Sequence, residues 1–113
     1  MSHHKEQYAS LLKKELARFF DHSVPRPDGT LISVTHIDLN DKDSRAIVWV
    51  SIYPDKNAKD IFASLKIYEA EARKYLADVV QRRTLPFIVF MLDTTQGARL
   101  RVEKLLDTID IEQ

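Results

Sequence analysis

The sequence contains no cysteine and only two glycines among its 113 residues. The absence of cysteine excludes a disulfide framework and a thiolate metal site, and it suits a reducing compartment. With only Gly29 and Gly97, the chain cannot build a Walker or G-x-G-x-x-G phosphate loop. Nucleotide-dependent catalysis is therefore not expected.

A surplus of charge of one sign is also missing, because 17 Lys and Arg balance 17 Asp and Glu. Any affinity for RNA must come from local patches rather than from the net charge. Long apolar runs are absent too: the longest, residues 87–92, is too short to span a bilayer, and residues 1–14 lack the apolar stretch of a signal peptide. We expect a cytoplasmic protein with no membrane partner.

The chain does have enough apolar material, 44% of its residues, for the core of a single domain over residues 1–113. Helical spacing of apolar residues predicts a first helix over 5–22 and a continuous second helix over 61–81. A third helix over 94–109 has Thr94 or Thr95 as its cap. Runs rich in β-branched and aromatic residues predict three strands, over 31–39, 46–53 and 87–92.

The order of these elements is helix, strand, strand, helix, strand, helix, with a polar hairpin connection at 40–44. A three-stranded sheet accompanied by amphipathic helices must bury one face beneath them. The sequence therefore predicts an α+β fold, a two-layer α/β sandwich. Such an architecture does not by itself indicate a function.

Residues able to carry chemistry do not converge on one another. His22 and His36 fall in separate elements without a nucleophile or metal motif in register. Asp38, Asp41 and Asp43 cluster at the hairpin, but their spacing fits no calcium loop, and a solvated turn is the favoured interpretation. We expect no enzyme activity, metal, cofactor or small-molecule substrate.

Trp49 and Tyr53 alternate on one face of a predicted strand. Aromatic side chains in this position can stack on RNA bases. Packing against neighbouring side chains is the favoured alternative for both residues.

Positive charge collects in two segments, residues 1–27 and 61–90, each of which has five basic and three acidic residues. The remaining stretches are net acidic, which favours a one-sided binding surface. The candidates for phosphate contacts are Lys13, Lys14, Arg18, Lys66, Arg73, Lys74, Arg82 and Arg83. As alternatives, Arg73 could form an ion pair on the helix surface, and Arg82 and Arg83 could stabilise a helix C-terminus.

Two motifs carry a resemblance to a known family, the bacterial ribosome-binding factor A family. The run Ala46-Ile47-Val48-Trp49-Val50-Ser51 resembles the family's A-x-V-Y-V-S strand. The run Arg83-Thr84-Leu85-Pro86 with Phe90 and Asp93 is similar to its L-R-x-x-P-x-L-x-F…D signature, and Arg73 also matches a family position.

The resemblance implies a type II KH-like fold, α-β-β-α-β, here with an extra C-terminal helix. It also implies a partner and a role: binding of the free small (30S) ribosomal subunit through 16S rRNA, assisting its late maturation and rRNA processing. We expect a monomer. The alternatives are a KH-like domain with another RNA target, and a protein-interaction module that docks through the sheet.

The chain departs from the family pattern in its second helix. Tyr68, Glu69 and Ala70 stand where the family has an A-x-G kink. Because no glycine is present there, we expect a straighter helix. The hairpin residues 40–43 also differ from the family's S-x-D-L.

Overall fold

The computed structural model describes residues 2–81 and 84–94, the side chains of residues 2–4 excepted. The predicted helix over 94–109 therefore lies outside the described residues. Two short 3₁₀ turns occur, at Asp55–Asn57 and Lys66–Tyr68. The helices and strands are α1 (Ser2–Ser23), β1 (Leu31–Leu39), β2 (Arg45–Tyr53), α2 (Ala58–Leu65), α3 (Glu69–Val79) and β3 (Phe87–Leu92).

The three strands form one sheet in the order β1-β2-β3. β1 and β2 are antiparallel, with a bulge between Val34 and His36, and β2 and β3 are parallel. A parallel pair needs a crossover connection, which α2 and α3 provide. The expected order α-β-β-α-β and the α+β class are confirmed.

The hairpin between β1 and β2 is held by Asn40, which is almost fully buried. Its side-chain oxygen accepts hydrogen bonds from the backbone N–H groups of Ser44 (2.8 Å) and Arg45 (3.0 Å). Its amide nitrogen donates to the Ser44 hydroxyl at 2.8 Å. Asp43 adopts a positive φ of 54°, a conformation that Asp tolerates better than most residues. The predicted hairpin is confirmed.

The hydrophobic core lies between one face of the sheet and the helices. Leu16 and Phe20 of α1 are fully buried, as are Val48 of β2 and Leu76 of α3. The ring of Phe20 lies 5.2 Å from that of Phe90 on β3, centroid to centroid. These contacts join the first helix to the last described strand, so the predicted two-layer sandwich is confirmed.

Trp49 lies on the opposite face of the sheet and is 0% exposed, packed with Ile47 and Met91. Its indole Nε1 donates a hydrogen bond to Asp38 Oδ2 at 2.8 Å, and His36 Nε2 lies 2.6 Å from Asp38 Oδ1. Stacking of Trp49 on an RNA base is therefore wrong, and the packing alternative is confirmed. Asp38 belongs to a hydrogen-bonded pair in β1, so the solvated-turn interpretation is wrong for this residue.

The second predicted helix is not continuous, and its expected straightness is wrong. α2 ends at Leu65, three residues form the 3₁₀ turn, and α3 begins at Glu69. The Glu69 carboxylate accepts a hydrogen bond from the Phe90 N–H (2.7 Å), and Lys66 Nζ donates to the Phe90 carbonyl (3.0 Å). Lys66 and Glu69 also form an ion pair at 2.7 Å. Side chains bound to β3 thus hold the break without glycine.

The end of this helix also differs from the prediction. α3 ends at Val79, which is 43% exposed, and Val80 is extended and only 3% exposed. The apolar spacing of the predicted helix over 61–81 includes Val79 in its buried stripe. That assignment is wrong because the chain leaves the helix one residue later and turns the next valine into the core.

Candidate nucleic-acid interface

A groove of about 870 Å³ lies between α3 and the outer edge of β3, beginning at the helix break. We call it the β3 groove. Three of the predicted basic residues and one acidic residue line it, together with exposed apolar groups. Its lining residues are Lys66, Ile67, Glu69, Ala70, Arg73, Lys74, Ala77, Phe87 and Ile88.

Lys66 forms one wall of the groove, and its ammonium group is already engaged. It donates to the Phe90 carbonyl, pairs with Glu69, and lies 5.7 Å from the centroid of the Phe62 ring. An ammonium group with a carboxylate at hydrogen-bond distance contributes little net positive potential. Lys66 therefore holds the helix break against β3 and adds little positive charge to the groove.

Arg73 connects α3 to the segment that precedes β3. Its Nε donates to the Pro86 carbonyl at 3.2 Å, and an Nη donates to the Leu85 carbonyl at 3.1 Å. The alternative of a helix-surface ion pair is wrong, since the acceptors are backbone carbonyls. A guanidinium has five N–H donors, so Arg73 retains its full charge and further donors for a phosphate.

Lys74 is exposed, and no contact of its ammonium group with another described residue is found. Successive residues of an α-helix are 100° apart, so Lys74 faces solvent between the β3 flank of α3 and the α1 flank. Together, Arg73 and Lys74 place two cationic groups beside the groove, and neither forms an ion pair with another described residue. Glu69, the acidic residue of the groove lining, is paired with Lys66.

The predicted basic residues of α1 do not join the β3 groove. Lys13 lines a separate cleft of about 510 Å³ between α1 and β1. Lys14 is exposed, and Arg18 lies 3.4 Å from the carboxylate of Glu15. The structure therefore places Lys13 in a different cleft from the β3 groove, and it places Arg18 beside the Glu15 carboxylate that faces α3.

A hydrogen bond joins α1 to α3 between the cations of α1 and those of the β3 groove. The Tyr75 hydroxyl on α3 donates to Glu15 on α1 at 3.1 Å. Tyr75 is two residues from Arg73, about 200° around the helix axis, so α1 contacts the flank of α3 opposite the groove. Burial raises the pKa of Tyr75, as do the hydrogen bond to Glu15 and its charge, whereas Arg18 lowers it. The phenol therefore stays protonated and keeps donating.

Arg82 and Arg83 lie outside the described residues. Over the described ranges 2–81 and 84–94, no group of three or more His, Asp or Glu side chains is arranged to hold a metal ion. Within the same ranges, no helix combines the length and apolar character needed to cross a membrane.

Sequence reasoning did not identify two residues near the groove, Phe87 and Arg45, as candidates for the binding site. Residues 87–92 are all apolar, a pattern typical of a strand buried between neighbours, but Phe87 is 56% exposed and belongs to the groove lining. Arg45 lies directly opposite Phe87 in the β2–β3 register, and its Nε is buried without a hydrogen-bond partner among the described residues. The sequence signal that could have found them is their position: Phe87 begins β3 directly after Pro86, and Arg45 begins β2 directly after the hairpin.

Comparison with known proteins places this geometry in a family. The family model described as ribosome-binding factor A matches residues 4–106. A ribosome-binding factor A of Prochlorococcus marinus is 26% identical over 111 residues, which cover 96% of this chain and 85% of the relative.

Two solved structures share the fold. The crystal structure of ribosome-binding factor A from Thermus thermophilus matches with a TM-score of 0.65 and 23% identity, covering 78% of this chain and 93% of that one. A homology model of the Thermus thermophilus factor, fitted into the cryo-EM map of its complex with 30S, matches with a TM-score of 0.64 and 24% identity, covering 74% and 88%. The KH-like α+β fold is therefore confirmed, and since the family model spans most of the sequence, the chain belongs to the ribosome-binding factor A family.

Proposed function

We propose that this protein binds the free small (30S) ribosomal subunit through 16S rRNA and assists its late maturation and rRNA processing. Membership of the ribosome-binding factor A family over residues 4–106 carries the proposal. The Thermus thermophilus factor, which shares the fold, has been fitted into a map of its complex with 30S. In this proposal residues 1–113 act in the cytoplasm as a monomeric, single KH-like RNA-binding domain without enzyme activity.

The β3 groove supports this function through its charge. Arg73 and Lys74 lie side by side at its rim, and Glu69 is neutralised by Lys66. Lys and Arg that neutralise phosphates supply most of the affinity of nucleic-acid-binding proteins. We therefore assign the groove as the primary RNA contact.

The exposed cations of α1 would make a second contact on the other side of α3. Lys14 and Arg18 point outward there, and Lys13 lies in the neighbouring α1–β1 cleft. The proposed set of phosphate contacts is Lys13, Lys14, Arg18, Lys66, Arg73, Lys74, Arg82 and Arg83.

The proposed role requires no chemical step. A protein that binds one conformation of an RNA more tightly than another shifts the population by its difference in affinity. A preference for one rRNA arrangement by a factor of about 10, equal to about 1.4 kcal/mol, would favour that arrangement tenfold. Docking of a partner through Trp49 has no support, because this side chain is fully buried.

The test is co-sedimentation of the purified protein with isolated 30S and 50S subunits. We expect binding to 30S, and weaker binding by Lys74→Glu, which should leave the fold intact because Lys74 is exposed and its ammonium group forms no hydrogen bond or ion pair with a described residue. The matched control is Lys56→Glu, an exposed lysine in the 3₁₀ turn after β2, remote from the strand end that carries Phe87. Lys14→Glu tests the second contact. Equal binding to 30S and 50S, or no binding by the folded protein, would overturn the proposal.

A further inference from the structure

One face of the sheet is turned away from the described helices, and we call it the Trp49 face. Trp49 is 0% exposed there, packed with Ile47 and Met91. On β1, Asp38 accepts the indole hydrogen bond, and the His36 side chain is 42% exposed. A buried aromatic side chain covers about 150–250 Å², and a fully buried residue contacts about 6–12 others. The described side chains of this face are too few to enclose the indole, so a further segment must cover it.

The chain leaves β3 on the side of the Trp49 face. Met91 lies on this face, and side chains alternate along a strand, so Asp93 points to the same side. The Asp93 N–H donates to the Val50 carbonyl at 2.8 Å, and its carboxylate accepts a hydrogen bond from the Thr35 hydroxyl at 2.6 Å. Thr35 belongs to β1, which β2 separates from β3, so this bond crosses above β2. Residues 95–113 therefore start at the rim of the Trp49 face.

Residues 95–113 lie outside the described residues, and their sequence predicts an amphipathic helix that fits this face. Apolar side chains recur there at spacings of three and four residues, at Ala98, Val102, Leu105, Leu106 and Ile109. A helix rises about 1.5 Å per residue, so residues 95–109 span about 21 Å. A strand rises about 3.3 Å per residue, so β3 extended to Asp93 spans about 20 Å. The predicted helix is therefore long enough to run back along β3 over Trp49.

The charge at the far end of this path is complementary. A helix that starts after β3 and lies over Trp49 must run toward the start of β2, where Arg45 is the first residue. Arg45 lies on the Trp49 face because side chains alternate along β2, and its Nε is buried without a hydrogen-bond partner among the described residues. Asp110 and Glu112 follow the apolar stripe directly. A carboxylate matches the planar donors of a guanidinium and would satisfy this buried group.

We propose that residues 95–113 form a helix that lies antiparallel to β3 across the Trp49 face. Its apolar stripe covers Trp49, Ile47 and Met91, and its acidic end contacts Arg45. The occupant of this face is thus a segment of the same chain. The proposal is independent of the proposed function, because its test requires no ribosomal subunit.

The test is acrylamide quenching of Trp49, the single tryptophan of the full-length chain. Leu105→Asp places a carboxylate in the apolar stripe, so we expect quenching to increase severalfold and the emission to shift to longer wavelength. The matched control is Leu100→Asp, because Leu100 lies about 200° around the helix axis from Ala98. This control should leave both properties unchanged. Leu105→Ala removes contacts without adding charge and gives the same reading should Leu105→Asp fail to fold.

A charge reversal tests the direction of the helix. Arg45→Glu should increase the quenching of Trp49, and its combination with Asp110→Arg and Glu112→Arg should restore protection. The proposal is overturned if the folded Leu105 variants are quenched like the wild type, if Leu100→Asp is quenched as strongly as Leu105→Asp, or if the combined reversal restores nothing. Protection that disappears on dilution, together with a dimer seen by sedimentation, would assign the covering segment to a second copy and overturn docking within one chain.

Discussion

Replacement of Glu69 by alanine is expected to lower the free energy of unfolding by about 2–4 kcal/mol. The change removes the acceptor of the Phe90 N–H, on a residue that is 0% exposed, and leaves Lys66 without its counter-charge. A hydrogen bond to a charged group contributes about 1.5–3 kcal/mol. Loss of a carboxylate from the first turn of a helix adds about 0.3–1 kcal/mol.

Two further variants separate these contributions. Glu71 also lies in the first turn of α3 but is exposed, so Glu71→Ala reports the helix-end effect alone, about 0.3–1 kcal/mol. Glu69→Gln keeps an oxygen acceptor for the Phe90 N–H and loses only the charge. We expect its destabilisation to fall between those of the two alanine variants.

The assay is urea unfolding followed by the fluorescence of Trp49, the single, buried tryptophan of the chain. Differences between midpoints, multiplied by a common slope, give the changes in free energy. If Glu69→Ala and Glu71→Ala were destabilised equally, within about 0.5 kcal/mol, the bond from Glu69 to β3 would not hold the helix break.

Three further predictions concern single contacts. Trp49→Phe removes the indole hydrogen bond to a carboxylate and should lower stability by about 1–3 kcal/mol in thermal unfolding followed by circular dichroism, and no change would contradict the role of that bond. Because the pKa of Tyr75 is raised in the fold, its contribution to the free energy of unfolding is complete below about pH 10 and is lost as the pH rises through the raised pKa. Tyr75→Phe should therefore reduce the loss of stability between about pH 9 and pH 11 in urea titrations. A loss equal to that of the wild type would contradict this prediction. Arg73→Met should lower stability by about 1–3 kcal/mol through its two carbonyl contacts, whereas Lys74→Met should change it by less than about 0.5 kcal/mol; equal urea midpoints would contradict the distinction.

The strands and the first helix could be predicted from sequence because local patterns determine them. Runs of β-branched and aromatic residues defined β1 and β3 to the residue, and β2 to within one residue. The apolar spacing that predicts α1 includes Leu16 and Phe20, and both are fully buried in the core.

The helix break and the groove could not be predicted in the same way. The usual local signal, a glycine, is absent, and the break depends on contacts between Lys66, Glu69 and Phe90, which is 21 residues beyond Glu69. Such long-range contacts leave no periodicity in the sequence. For the same reason, the partners of Arg73 and the exposure of Phe87 became visible only once β3 was placed beside α3.

If the β3 groove binds RNA, removal of a cation at its rim must change the salt dependence of 30S binding. We would measure log K against log salt for the wild type, Lys74→Met and the control Lys56→Met. We expect Lys74→Met to weaken binding and to reduce the slope by about 0.7–0.9, whereas Lys56→Met should leave both unchanged. Identical slopes and affinities for all three proteins would contradict this expectation.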